Sequence, residues 1–252
     1  MTRDSYSTPC HPSEGWDPAP LRINILLFFV QSYVTTIPTL TYFQKGAQPA
    51  LLIHSGTHGD EYGVIESVKK YLEKNESRLP DFIWVPEVSP TAVAARTRRN
   101  AQGNDLNRAF VRDASDREAV ANLNIINAYS FKYFISFHED LEFPDFYMYD
   151  SVDARETESF RKFYEGIRAD GVGVHNGLDD ANDPALGFEI QNCYFSYQWI
   201  TGQSRKESGT VWEYLKQHQP QIKRMLNPEI PGNASQKIKD ALVKQIFKNF
   251  FS

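Results

Sequence analysis

The chain has 252 residues, 41% of them apolar and 23% charged, with a net charge of −5. This is the composition of an ordinary soluble globular protein, and it gives no support to a general nucleic-acid surface. Only two cysteines occur, Cys10 and Cys193, which excludes a disulfide framework and a cysteine-rich zinc module, so any metal must be held by His, Asp and Glu.

Residues 1–20 lack periodicity and are expected to form a loose tail. The apolar run from Ile23 to Val34 is too short for a spanning helix, which needs about 20 apolar residues. It also lies behind a polar, Pro-containing stretch, unlike a signal peptide. It reads as a buried first strand, with a membrane-directed segment as the alternative. No stable membrane span is expected, and a cytoplasmic location follows as an expectation.

PTLTYFQKG and PALLIHSG then read as strands. EYGVIESVKKYLEK places Ile65, Val68 and Leu72 on one helical face. DFIWVPEV is a short β-rich run, followed by a polar loop through RTRRNAQGND. AVANLNIINAYSF is expected to be helical, and KYFISFHED is a strand that turns abruptly acidic. ETESFRKFYEGIRAD reads as a helix, ESGTVWEYLKQ as holding a short strand, and QKIKDALVKQIFKNFF as a closing amphipathic helix. The alternation predicts an α/β fold: a single-domain, mixed, mostly parallel sheet flanked by helices. No linker interrupts it, so residues 21–252 are expected to form one catalytic domain.

Three polar clusters, HGDE, HED and VWEY, end or follow strand-like runs. Ligands in such sheets bind beyond the carboxyl ends of strands. His58 and Glu61 stand three residues apart at a strand-to-helix junction, and His138 lies at a later strand end. Two imidazoles and a carboxylate are a common catalytic zinc set with water in the fourth position. Zinc would acidify that water and polarise a carbonyl. Such chemistry also needs a base and a cation for the oxyanion. Glu213 is the candidate base, and the arginines of RTRRN and DLNR are candidate cations. Each feature alone is weak, since surface helices often carry H-x-x-E and an Arg-rich loop is usually just solvated. Their joint placement at strand ends favours the metal site.

The order HGDE, SPTAVAARTRRNAQGNDLNRAF, FISFHED, SGTVWEY resembles the zinc carboxypeptidase family with its succinylglutamate desuccinylase and aspartoacylase relatives, over roughly Pro38 to Tyr214. The resemblance implies one Zn2+ per chain on His58, Glu61 and His138. It implies a substrate carboxylate on Asn107 and Arg108, and carbonyl polarisation by Arg98, with Arg99 as the alternative. It implies Glu213 as general base. The family's mobile tyrosine is matched by Tyr197 or Tyr194, with no motif selecting either. Asp105 is expected to hold the loop that presents Asn107 and Arg108. Asp60 is expected to cap the following helix and His54 to be structural. Glu139 and Asp140 stay open between supporting the ligands and a solvated loop, and His175 has no evident partner.

The resemblance implies a zinc-dependent metallocarboxypeptidase, hydrolysing an amide bond next to a free carboxylate through zinc-activated water. The alternative is a zinc-dependent N-acyl amino acid deacylase. A non-enzymatic binding module with a retained metal site is the reading of another class. The expected partner is a small peptide or an N-acyl amino acid with a free carboxylate, and no nucleic acid. Fewer than forty residues follow Glu213, and they read as helical. That is expected of a compact carboxypeptidase-like domain, whereas the short interval between Glu61 and His138 resembles the deacylases.

Overall fold

The computed structural model describes residues 32–37, 40–180, 187–199 and 209–251. The expectations for residues 1–31 lie outside the described residues; of the apolar run Ile23–Val34, only Ser32, Tyr33 and Val34 are described, in the first strand. Strands β1 (Ser32–Ile37), β2 (Leu40–Lys45), β3 (Leu51–His54), β4 (Phe82–Val85) and β5 (Tyr133–Ser136) come first in the sheet. They are joined by β6 (His138–Asp140), β7 (Tyr147–Asp150), β10 (Tyr194–Ser196) and β11 (Arg224–Pro231), while β8 (Gly177–Leu178) and β9 (Glu189–Ile190) pair separately. The order across the main sheet is β1-β2-β4-β3-β5-β11-β7-β10, with β6 alongside β11. The pairs β3–β4, β3–β5, β5–β11, β6–β11 and β7–β10 are parallel, and β1–β2, β2–β4 and β7–β11 are antiparallel. The mixed, mostly parallel sheet expected from the alternation is therefore present.

The apolar runs FIWV and LLI form strands because both faces of the sheet are covered. Leu51, Ile53, Phe82, Trp84 and Ile135 face one core, while Leu52, Ile83, Val85 and Phe134 face the other. The first core is closed by α1 (Gly63–Asn75), α4 (Glu158–Ala169) and α6 (Gln236–Phe250), through residues such as Val68, Phe163 and Phe247. The second is closed by α3 (Arg117–Ala128) and α5 (Val211–His218), through Leu123, Ile126 and Leu215. A short α2 (Pro90–Ala95) begins on its proline and ends at Arg96 in the left-handed conformation. Among the described residues, no helix is long and apolar enough to cross a membrane.

Two local expectations are corrected. VWEY is not strand but the start of α5, because Thr210 accepts the Glu213 amide as an N-cap and Val211, Tyr214 and Leu215 bury one helical face. The stretch after Glu213 is not wholly helical: RMLNPEIP forms β11, which pairs with β5, β6 and β7. Pro228 stands opposite Met148 and Pro231 opposite Asp140, so a sequence that reads as interrupted still crosses the sheet. On α1, Val64 leads the buried face and Ile65 packs at its margin.

Candidate metal centre

The candidate site forms where β3, β6 and the polar loop after β4 converge. The chain leaves β3 at His54, and Gly59–Glu61 make a single 3-10 turn before α1. That turn lies flat on α2, for a Cβ at Gly59 would stand 1.8 Å from the Ala92 carbonyl oxygen. The Gly59 amide also donates to the Thr97 carbonyl at 2.9 Å. The glycine of HGDE thus serves close packing rather than an unusual φ.

This seating points His58 and Glu61 toward His138. His58 Nδ1 lies 2.5 Å from Glu61 Oε1, and His138 Nδ1 lies 2.8 Å from Glu61 Oε2. The three residues are 3%, 6% and 4% exposed for His58, Glu61 and His138, so the cluster is shielded from solvent. One donor atom from each falls within 4.8 Å of the others. The far nitrogens are held too: His58 Nε2 donates to Asp105 Oδ1 at 3.0 Å, and Ser136 Oγ is 3.1 Å from His138 Nε2. Anchored far nitrogens fix the ring orientation, as in metal-ligating histidines. Two imidazole nitrogens and a carboxylate, converging from anchored side chains, fit zinc by donor type.

Burial works against charge on His58, but Asp105 and Glu61 outweigh it and raise its pKa to about 9. Burial likewise opposes charge on Glu61, yet the two histidines hold its carboxyl well below the usual range. His54 lies beside Ser136 in the sheet register, is fully buried and has a pKa lowered to about 3, by burial first and by His138 second. Among the described residues its Nδ1 has no hydrogen-bond partner, and a neutral imidazole in the sheet accords with a structural residue.

Arg98 stands at the rim. Its Nε and Nη2 donate to Asp105 Oδ2 at 3.2 and 3.0 Å, and its Nη1 lies 3.8 Å from Glu61 Oε1. Asp105 thereby joins Arg98, His58 and the Asn107 amide, which it also accepts at 3.0 Å. Asp105 does more than hold the loop, since it also orients a candidate ligand. Asn107 is half-buried and Arg108 exposed, with Arg108 Nη1 donating to the Asn107 carbonyl. Arg108 lines a polar depression of about 590 Å3 with Arg99, Asn104 and Asp105. Arg99 turns to the Gly103 carbonyl and not toward the triad.

Other expected residues lie elsewhere. Among the described residues, Glu213 contacts the Thr210 cap through its amide and Gln217 through Oε1, while Oε2 is buried without a partner. No described contact joins it to the triad. Tyr194 is fully buried; its hydroxyl donates to Asp150 and Val152 and accepts from the Ala154 amide. It is a core residue, and its place among candidate substrate contacts is withdrawn. Tyr197 is half-buried and packs its ring on Tyr149, Phe188, Phe195 and Trp212. Asp60 does not cap α1, because the first helical amide, Gly63 N, donates instead to Glu139 Oε2 at 2.9 Å. Asp140 closes the turn after β6 by accepting the Glu142 and Phe143 amides and the Tyr147 hydroxyl. His175 stacks with Phe143 and Tyr147 and donates to the Leu178 carbonyl.

Glu229 is the residue that sequence reading missed. In the sheet register it stands opposite His138 on one side and Tyr147 on the other. Paired residues project to the same face, so its carboxyl shares the side of the sheet that carries His138. Loss of solvent, then the charges of Glu61 and Asp140, push its carboxyl well above the usual range. The signal in the sequence was a lone Glu inside NPEIP, a run whose prolines hide a strand.

Residues 47–138 match the family described as succinylglutamate desuccinylase/aspartoacylase catalytic domain. None of the curated proteins matches the chain. Among solved structures, a candidate metallopeptidase from Shewanella amazonensis is similar with a TM-score of 0.64 and 19% identity, covering 84% of this chain and 82% of that one. A candidate metallopeptidase from Shewanella denitrificans gives a TM-score of 0.62 and 18% identity, over 83% and 79% of the two chains. An aspartoacylase family protein from Mesorhizobium loti gives 0.55 and 19%, over 88% of this chain and 67% of that one. The chain thus resembles the zinc carboxypeptidases and their desuccinylase and aspartoacylase relatives in its fold, and the desuccinylase/aspartoacylase catalytic domain in its sequence from residue 47 to His138.

Proposed function

We propose that the protein is a metal-dependent hydrolase that cleaves an amide bond next to a free carboxylate, with a C-terminal peptide residue as its first substrate class. The observation that carries this reading is the buried convergence of His58, Glu61 and His138 with Arg98 on its rim. A zinc ion held by those three side chains would supply a Lewis acid that polarises a carbonyl and acidifies water.

The remaining roles fall to the chain's own groups. Arg108 and Asn107 receive the substrate carboxylate, for which a planar guanidinium is suited by bidentate pairing. Arg98, gripped by Asp105, turns Nη1 toward the triad and stabilises the charge that develops on the carbonyl oxygen. Glu229 accepts a proton from the attacking water and returns it to the leaving amine, in place of Glu213. Its support is the shared face with His138, together with burial that pushes its carboxyl up and so favours its holding a proton. Tyr197, in an aromatic shelf with Tyr149, is kept as a substrate contact.

An N-acyl amino acid deacylase is the second reading. It uses the same groups on a small acyl amide, and the sequence match over residues 47–138 favours it. The test is metal content of the purified protein and of His58→Ala, followed by hydrolysis of peptides against N-acyl amino acids. About one zinc per chain, lost in the variant, with peptide cleavage is the expected result. Cleavage of acyl amides alone selects the deacylase. Zinc bound without cleavage of either substrate leaves the non-enzymatic module, and failure to bind zinc refutes all three readings.

A further inference from the structure

Behind the triad lies a charged pair that the proposed chemistry does not use. Glu139 follows His138 and projects to the opposite face of β6, toward α1 and α6. It is 4% exposed, and Lys239 of α6 is 6% exposed. Lys239 Nζ donates to Glu139 Oε1 and, at 2.9 Å, to the Gly232 carbonyl at the end of β11. Glu139 Oε2 accepts the Gly63 amide at 2.9 Å. In return, the Glu139 amide donates to Glu61 Oε2 at 3.2 Å.

These bonds form a reciprocal brace. The side chain of Glu139 grips the backbone two residues beyond Glu61, while its backbone grips the side chain of Glu61. The strand that ends in His138 and the turn that carries Glu61 are thus fixed to each other through one residue. The brace also explains Gly63: a Cβ there would stand 2.5 Å from Lys239 Nζ and 2.8 Å from Glu139 Oε1. Lys239 reaches this point because α6 lies along α1, where the neighbouring Asp240 accepts from Ser67 at 2.5 Å. A charge pair this deep is often no better for stability than apolar residues of the same size, so its presence calls for a positional reason.

We propose that Lys239, acting through Glu139, is a positioning residue that sets the spacing between Glu61 and His138 and so tunes metal affinity. This rests on the metal-site reading above. It makes the closing helix α6, which lies beyond the matched residues 47–138, part of the site's supporting frame.

The test compares the full-length metal-free protein with Lys239→Met, Glu139→Gln and Phe247→Leu. Zinc affinity is read by competition with a chromophoric chelator, and ligand geometry by the visible bands of the cobalt-substituted protein. Lys239→Met and Glu139→Gln are expected to weaken zinc binding about 10- to 100-fold and to shift the cobalt bands, the range found for residues that orient metal ligands. Phe247→Leu trims the core eight residues beyond Lys239 without touching the brace; it is expected to lower unfolding stability and leave zinc affinity and the cobalt bands as in the parent. Should Lys239→Met fail to fold, the pair Glu139→Gln with Lys239→Met leaves no buried charge unpaired and is expected to show the same weakening. Unchanged zinc affinity in the Lys239 variants, or equal weakening by Phe247→Leu, overturns the positioning role alone. A parent protein that binds no zinc overturns the metal site and the positioning role together.

Discussion

Raising the pH of the metal-free protein from 6.5 to 9 should weaken its fold and strengthen its hold on zinc. His58 titrates near 9 in the fold against 6.5 unfolded: burial opposes its charge, but Asp105 and Glu61 more than offset that cost. The folded value is the higher one, so the folded state binds this proton more tightly. The stabilisation is fully present below pH 6.5 and is lost as pH rises through 9. At ~1.4 kcal/mol per pH unit, the gap between the two values corresponds to at most about 3.5 kcal/mol. Chemical denaturation of the metal-free protein at both pH values measures it, with His58→Asn as the control that flattens the dependence. Zinc reverses the sign, because its ligands must be deprotonated. Apparent zinc affinity should therefore rise by up to about tenfold per pH unit over the same window. Metal-free stability that is flat or rising from pH 6.5 to 9, or that falls equally in His58→Asn, would refute the assignment of His58 as a carboxylate-held imidazolium.

Glu229→Gln should lower kcat by about 100-fold or more while zinc content is kept, and Glu213→Gln should cost far less; the opposite ranking would return the base to Glu213. Tyr194→Phe should destabilise the fold by about 1–3 kcal/mol, because it leaves buried Asp150 short of a donor, and should leave KM unchanged; a raised KM at parental stability would restore Tyr194 to the substrate site. Below pH 6.5 the metal-free protein should lose stability as well. His54 is held neutral with a pKa near 3, so its contribution is present above 6.5 and fades as pH falls. In denaturation at pH 5, His54→Gln should abolish that part of the acid limb, and an unchanged limb would assign it to other groups. Gly59→Ala should abolish zinc binding by lifting the 3-10 turn off Ala92, and retention of parental zinc affinity would show that the turn tolerates a Cβ.

Much of the site was legible because its residues are local to readable elements. LLIH is apolar enough to be a strand with both faces covered, and HGDE marks the turn into α1, so His58 and Glu61 are positioned by a few consecutive residues. FISFHED carries His138 on the same logic, for its apolar run stops where the sheet opens to the site. Two features were not legible. Glu213 sits in a helix because Thr210 caps it and Tyr214 and Leu215 find a core, a choice made by packing rather than by the residues VWEY. Tyr194 and Tyr197 look alike in sequence, yet the first is consumed by Asp150 and the second faces an aromatic shelf.

By itself, then, the sequence determined the alternation of strands and helices, the three candidate ligands and the arginine loop beside them. Those depend on neighbours within a turn or a strand, where periodicity and spacing act directly. Tertiary structure alone decided that NPEIP is a sheet strand, that Glu229 shares a face with His138, and that Lys239 reaches Glu139 across 100 residues of chain. Register between distant strands and the meeting of a closing helix with an early turn arise from burying both faces of one sheet. No local pattern encodes which distant partner fills that space.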